Sequence, residues 1–132
     1  MCLFCEIING NIPSSKVYED DEYLAILDIA QTTRGHTLVM PKKHYDTFLD
    51  MPKEEFEKLM GKTQEVARVV LEKLNASGCN ILINTNEVAG QTIMHVHAHI
   101  IPRYDANDTV TFQFTENKLD LNEVLNDITK AE

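Results

Sequence analysis

Between positions 95 and 101 the chain reads His-Val-His-Ala-His-Ile-Ile, and no other segment restricts its fold so tightly. Successive side chains of an extended strand point to opposite faces, so His95, His97 and His99 share one side, neighbours about 6–7 Å apart. Val96, Ala98 and Ile100 share the other side and can enter a core. One buried imidazole is commonplace, but three aligned on one strand face are costly to desolvate or to protonate together. Two chemistries suit such a row. Imidazoles in His-x-His spacing can hold a metal with an open position for water. Alternatively, a neutral imidazole attacks phosphorus while its neighbours hold the phosphate oxygens. Spacing alone leaves both open.

The rest of the chain alternates between strand and helix patterns. Residues 3–9 read as a short helix ended by Asn9-Gly10. Residues 16–19 and 23–28 read as two strands across an Asp20-Asp21 turn, and 37–40 as a strand stopped by Pro41. From Pro52, the side chains of Phe56, Leu59, Met60, Thr63, Ala67, Val70 and Leu74 recur at helical spacing, which predicts one long helix ended by Ser77-Gly78. Residues 79–85 and 93–101 follow as strands joined by a polar loop, in which Gly90 allows close backbone approach to a ligand. A weaker strand is expected over 109–114. Asp120 should cap a last helix carrying Leu121, Val124, Leu125 and Ile128 on one face. The sum is an α+β domain: a mostly antiparallel sheet, one long helix and short terminal helices.

Composition excludes several classes. The net charge of −9 argues against a broad nucleic-acid surface. No run approaches the ~18–20 apolar residues of a membrane span, and the N-terminus lacks a signal-peptide pattern, so a cytoplasmic protein is expected. Three cysteines, an odd count, argue against a disulfide framework, and the Cys2–Cys5 spacing points to metal or redox chemistry. A phosphate ligand would need local positive groups, for which Arg34, Lys42, Lys43 and Arg103 flank the histidine segments.

With the upstream Gly90-Gln91-Thr92, the string from 90 to 101 closely resembles the histidine-triad signature, His-φ-His-φ-His-φ-φ with φ hydrophobic. Further pieces agree in order: Leu3-Phe4-Cys5-Glu6-Ile7-Ile8, Ile12-Pro13, Tyr18-Glu19-Asp20-Asp21, Leu27-Asp28-Ile29, and the run from Gly35-His36 to Lys43-His44. The likeness covers about residues 3–103 of a chain read as a single domain over 1–132, leaving 104–132 as a C-terminal extension. On it the chain is identified as a member of the histidine-triad (HIT) family, in its zinc-containing bacterial-type branch.

The resemblance implies a homodimer whose sheet continues across both subunits. It also implies hydrolysis or transfer at the α-phosphate of a purine nucleotide or nucleotide conjugate, with no organic cofactor. His97 would be the nucleophile and His99 would contact the phosphate oxygens. Asn84, Gln91 and Thr92 would line the phosphate or leaving-group side beside Gly90. Asp28 would hold the ribose hydroxyls, and Leu3, Phe4, Ile7 and Ile26 would cover the base. His36 resembles a histidine that supports the triad from behind. Cys2, Cys5, His44 and His95 would hold one structural zinc per subunit. Met94 departs from the tyrosine or other polar residue more usual before the triad.

The leading activity is phosphoramidase or phosphohydrolase action through a nucleotidyl-histidine intermediate. Its alternatives are a dinucleoside polyphosphate hydrolase and a nucleotide-binding regulatory or scaffold protein with weak catalysis. A metallohydrolase using the triad itself is disfavoured, because His95 is already engaged in the closed site. The attacking imidazole must be neutral, so activity is expected to fall in acid.

Overall fold

The computed structural model describes residues 2–130. Five strands form one antiparallel sheet in the order β1-β2-β3-β5-β4: β1 Lys16–Glu19, β2 Tyr23–Leu27, β3 Thr37–Pro41, β4 Gly78–Leu82 and β5 Ala98–Arg103. Helix α1, Leu3–Ile8, precedes them. Helix α2, Lys53–Leu74, joins β3 to β4, and α3, Leu121–Thr129, lies near the C-terminal end. This is the α+β architecture that the sequence predicts. No helix among the described residues is long and apolar enough to cross a membrane.

Alternation along the strands separates two cores. Tyr23, Ala25, Val39, Val96 and Ile100 face α2, whose Leu59, Val66, Ala67 and Val70 pack against them. Leu24, Ile26, Leu38 and Met40 point to the opposite face and meet Phe4 and Ile7 of α1. The sheet is thus buried by a long helix on one side and by a single short one on the other. That second face is only partly covered, and the uncovered remainder becomes the site.

The long helix carries the predicted stripe with two corrections. Val66 is buried on it although absent from the predicted stripe, and Phe56, Met60 and Leu74 are only partly buried. The helix also stops before Ser77-Gly78, because Asn75 takes the left-handed conformation (φ 58°) and its N–H returns to the carbonyls of Leu71 and Glu72. Asp20 shapes the β1–β2 turn by accepting from the N–H groups of Glu22 and Tyr23.

Three strand expectations change. Residues 109–114 form no strand, since their alternation finds no neighbouring chain to pair with. β4 ends at Leu82 rather than at Thr85. β5 begins only at Ala98, not at Ile93. The antiparallel register with β3 runs through Val39↔Ala98, and two residues further along it the partner would be Pro41, which has no N–H to extend the ladder. Val96 N–H turns instead to the Tyr45 carbonyl, at 2.8 Å. His95 and His97 therefore stand just beyond the regular sheet. Alternation nonetheless persists, with Val96 in the α2 core and His97 on the α1 side. The final helix, N-capped by Asp120, buries none of its residues and does not cover the sheet.

Gly35 fixes the loop that leads into β3. Its φ is +94°, and a Cβ there would collide with Leu74 Cδ1 and crowd Pro102 and Val70. Gly35→Ala is expected to destabilise the protein by about 2–3 kcal/mol through strain and overpacking. Denaturant unfolding measures this, and a loss under ~0.5 kcal/mol would contradict it.

Candidate functional site

The cleft left open beside α1 has a volume of about 370 Å³. Phe4 and Ile7 from α1, Ile26 from β2, and Leu38 from β3 make its apolar floor, with Leu3 at the rim. Asp28 closes one end, and Asn84, Gly90, Thr92, His97 and His99 form the polar side. Every residue that the family resemblance assigned to nucleotide or catalysis reaches this one cavity, except Gln91. The sequence reading had missed Leu27, Ile29, Ala30, Leu38 and Ile93, which also line it. Leu38 lies in the apolar run read as a strand, but nothing local marks which face of that strand is left open.

Gln91 is a correction. Only 3% of it is exposed. Its amide donates to the carbonyls of Asp46 (2.6 Å) and Ile93 (3.0 Å), and its oxygen accepts from Asn86 N–H (2.8 Å). With both ends engaged by backbone, it braces the loop rather than lining the phosphate side. Above it Gly90 adopts φ +100°, and Asn84 lies beside its carbonyl. The proposed basic rim is a second correction. Lys42 pairs with Glu19 and Arg103 with Asp108 and Asn80, while Lys43 lies over the Tyr45 ring. Among the described residues, no lysine or arginine lines the cleft.

The hydrogen bonds assign the protons of the imidazoles. His97 Nδ1 lies 2.7 Å from the His95 carbonyl, which can only accept, so Nδ1 carries the hydrogen and Nε2 keeps its lone pair. Phe4 packs edge-on against this ring at 4.9 Å between centroids and limits its rotation. Burial holds His97 below the ordinary histidine range, offset in part by that carbonyl and by Asp28. A neutral imidazole with a free nitrogen results.

His99 is set by a relay. Thr32 N–H donates to His36 Nδ1 (3.3 Å), so the His36 hydrogen sits on Nε2 and points at His99 Nδ1, 2.9 Å away. The hydrogen of His99 is then on Nε2, which makes that nitrogen a donor. Burial first, then the neighbouring His97 and His36, push its pKa down to about 4. The two triad histidines in the cleft thus have complementary roles at neutral pH: one presents a lone pair, the other an N–H. Asp28 accepts from Ala30 N–H through one oxygen, and its other lies 3.7 Å from His36 Nε2.

Cys2, Cys5, His44 and His95 converge behind Phe4, their donor atoms all within 4.8 Å of one another. Cys2 Sγ stands 3.4 Å from His95 Nδ1, Cys5 Sγ stands 3.3 and 3.5 Å from the Nδ1 atoms of His44 and His95, and those two Nδ1 atoms are 3.2 Å apart. A tetrahedral zinc with ordinary bond lengths has S···N edges of about 3.5 Å and N···N edges of about 3.3 Å. The ring protons point the same way. His95 Nε2 lies 2.8 Å from the Pro41 carbonyl and His44 Nε2 2.7 Å from the Asp46 carboxylate, so both hydrogens sit on Nε2. Two Nδ1 lone pairs then face each other, an arrangement that a cation relieves. The donor set fits zinc, with all four positions filled by protein. A second trio, Asp28, His36 and His99, also clusters. Its 2.9 Å imidazole–imidazole contact is the hydrogen bond of the relay, shorter than a metal's N···N edge.

Comparison with known proteins follows this geometry. A family model described as the HIT domain matches residues 9–106. An uncharacterised HIT-like protein of Methanocaldococcus jannaschii is 52% identical over 132 residues, covering 97% of this chain and 98% of its own. An adenylylsulfatase of Arabidopsis thaliana is 39% identical over 102 residues, 77% of this chain and 52% of its own. A crystal structure of a zinc-bound histidine triad family protein from Mycobacterium smegmatis superposes with a TM-score of 0.79 at 40% identity, covering 87% of this chain and 84% of that one.

Proposed function

The chain belongs to the HIT-domain, or histidine-triad, family, and from that premise we propose that it is a nucleotide phosphoramidase or phosphohydrolase acting at the α-phosphate of purine nucleotide conjugates. The observation that carries this reading is the pair of opposite tautomers in one cleft: His97 with its free Nε2, and His99 with its Nε2–H. The nucleoside lies on Phe4, Ile7 and Ile26 with its ribose hydroxyls on Asp28. His97 Nε2 forms a bond to phosphorus as the bond to the leaving group breaks, and the departing group takes up a proton from solvent, which the water of the second step gives back. His99 donates to a phosphate oxygen as charge develops there. Water then cleaves the phosphorus–imidazole bond and returns His97 neutral. The adenylylsulfatase among the relatives supports adenylyl chemistry of this kind.

A phosphoramidate is favoured over a dinucleoside polyphosphate on charge. The cleft carries Asp28 and no lysine or arginine among the described residues, and the whole chain has a net charge of −9. A polyphosphate bridge would bring several further negative charges with nothing to neutralise them. Adenosine 5′-phosphoramidate is expected to exceed diadenosine tetraphosphate in kcat/KM by at least about tenfold. The reverse preference would refute this choice.

Zinc, when bound by Cys2, Cys5, His44 and His95, would supply structure and no water position. It would tie α1, and through it Phe4, to the segment that carries the nucleophile. Zinc in a family member with the same fold supports this assignment. The homodimer belongs to the same reading. β4 is an edge strand of the sheet, and Ile81 on it is an exposed apolar side chain suited to a second copy. A cytoplasmic location accords with three cysteines of which two, Cys2 and Cys5, would hold zinc as thiolates.

A further inference from the structure

We infer that a second cavity, of about 630 Å³ between Cys2, Leu3, His44, Asp46, Thr92, Ile93 and Met94, receives the leaving group, and that Asp46 selects leaving groups bearing a cationic amine. This rests on the proposed function and specifies its substrate.

The two cavities share Leu3, Thr92 and Ile93, so a molecule lying across that common wall occupies both. His97 lines the nucleoside cleft and not the second cavity. In-line displacement requires the leaving group to depart on the side of phosphorus away from the nucleophile. A substrate whose nucleoside sits on Phe4 and Ile26 therefore directs its other half past Thr92 toward Met94 and Asp46. Met94 is 42% exposed there and offers an apolar, adaptable surface in place of a polar contact.

The chemistry of this cavity is one-sided. Its charged lining group is Asp46, and no lysine or arginine lines it among the described residues. One Asp46 oxygen accepts from His44 Nε2 at 2.7 Å, while the other has no hydrogen-bond partner among the described residues. An apolar stem against Leu3, Ile93 and Met94 with an ammonium at that free oxygen satisfies the cavity. A phosphate or carboxylate there meets only repulsion.

The test compares two adenosine phosphoramidates of equal length, one made from hexylamine and one from 1,5-diaminopentane, which ends in an ammonium. The native protein is expected to favour the cationic one in kcat/KM by about three- to fivefold at low salt, the size expected for a solvent-facing carboxylate. That ratio should shrink as salt rises. Asp46→Asn still accepts from His44 and should bring the ratio to about one; Asp46→Lys should invert it. A loss of activity common to both substrates, such as a disturbed His44 would cause, cancels in the ratio. Turnover of both substrates at equal rates by the native protein, or a ratio that survives Asp46→Asn, overturns the selection and leaves the proposed function standing. Failure of the native protein to cleave either removes the proposed function and this subsite with it.

Discussion

His97→Ala is expected to lose turnover of adenosine phosphoramidate by at least about ten-thousand-fold, the scale seen when a covalent nucleophile is removed. Nucleotide binding should persist, because the apolar floor of Phe4, Ile7 and Ile26 and the carboxylate of Asp28 do not depend on this side chain. The native protein should trap an acid-labile nucleotidyl label that the variant does not acquire. The comparison also separates enzyme from scaffold, since a regulatory nucleotide binder would keep its partner effects after His97→Ala. Hydrolysis that continues at its native rate in the variant would remove the basis of the mechanism. A thermal unfolding curve is needed beside it, because His97 is 8% exposed and its ring packs on Phe4.

The same two imidazoles fix the direction of the pH dependence. His97 must be neutral to attack, and His99 must be neutral to sustain the relay from His36. Burial lowers both, His99 to about 4. Protonation therefore needs more acid than for a free imidazole, and the acid limb of kcat/KM should lie below the ordinary value of 6.5. Activity falls as pH falls through the lowered values. Stability moves with it: the unfolded chain takes up these protons at higher pH than the folded one, so stability present above 6.5 declines as pH drops toward 4.

How far the sequence disclosed this arrangement depends on whether the relevant partner is local. The stripe on α2 was legible because helical periodicity is a local property, though Val66, the partial exposure of Phe56, Met60 and Leu74, and the Asn75 cap escaped it. β2 and β3 were legible as apolar runs, Tyr23 to Leu27 and Thr37 to Met40, but such runs do not say which side chains face which core. The end of β5 was not: the ladder stops because the β3 residue two positions beyond the last pair is Pro41, about 55 residues away in sequence. Residues 109–114 show the converse error, an alternating pattern with no strand beside it. In the site, residue types and family likeness named His97, His99, Asp28 and the four metal donors. They did not reveal which proton each imidazole carries, because that is decided by Thr32, His36 and two backbone carbonyls. Gln91 was misassigned for the same reason. A glutamine beside a triad looks like a phosphate ligand until its amide is found between Asp46 and Ile93. Asp46 itself drew no attention, since an isolated aspartate in a loop has no signature.

Zinc removal should have the second large effect, and on stability before chemistry. Purified protein is expected to hold one zinc per chain. Cys5→Ser should lose it and lower the melting temperature by at least about 10 °C, several kcal/mol for a domain of this size. The cost arises at two places. The Nδ1 lone pairs of His44 and His95 face each other at 3.2 Å. Helix α1, six residues long, is too short to hold its place without the clip at Cys2 and Cys5. Turnover should fall as a consequence, because Phe4 leaves with α1 and frees the His97 ring. That ordering distinguishes a structural metal from a catalytic one. A catalytic zinc would give chelated protein that melts normally and hydrolyses nothing, restored at once by metal. Here the melting temperature and the rate must decline together. Protein lacking stoichiometric zinc after metal-free purification, or melting unchanged once stripped of it, would show that four well-spaced donors hold no metal.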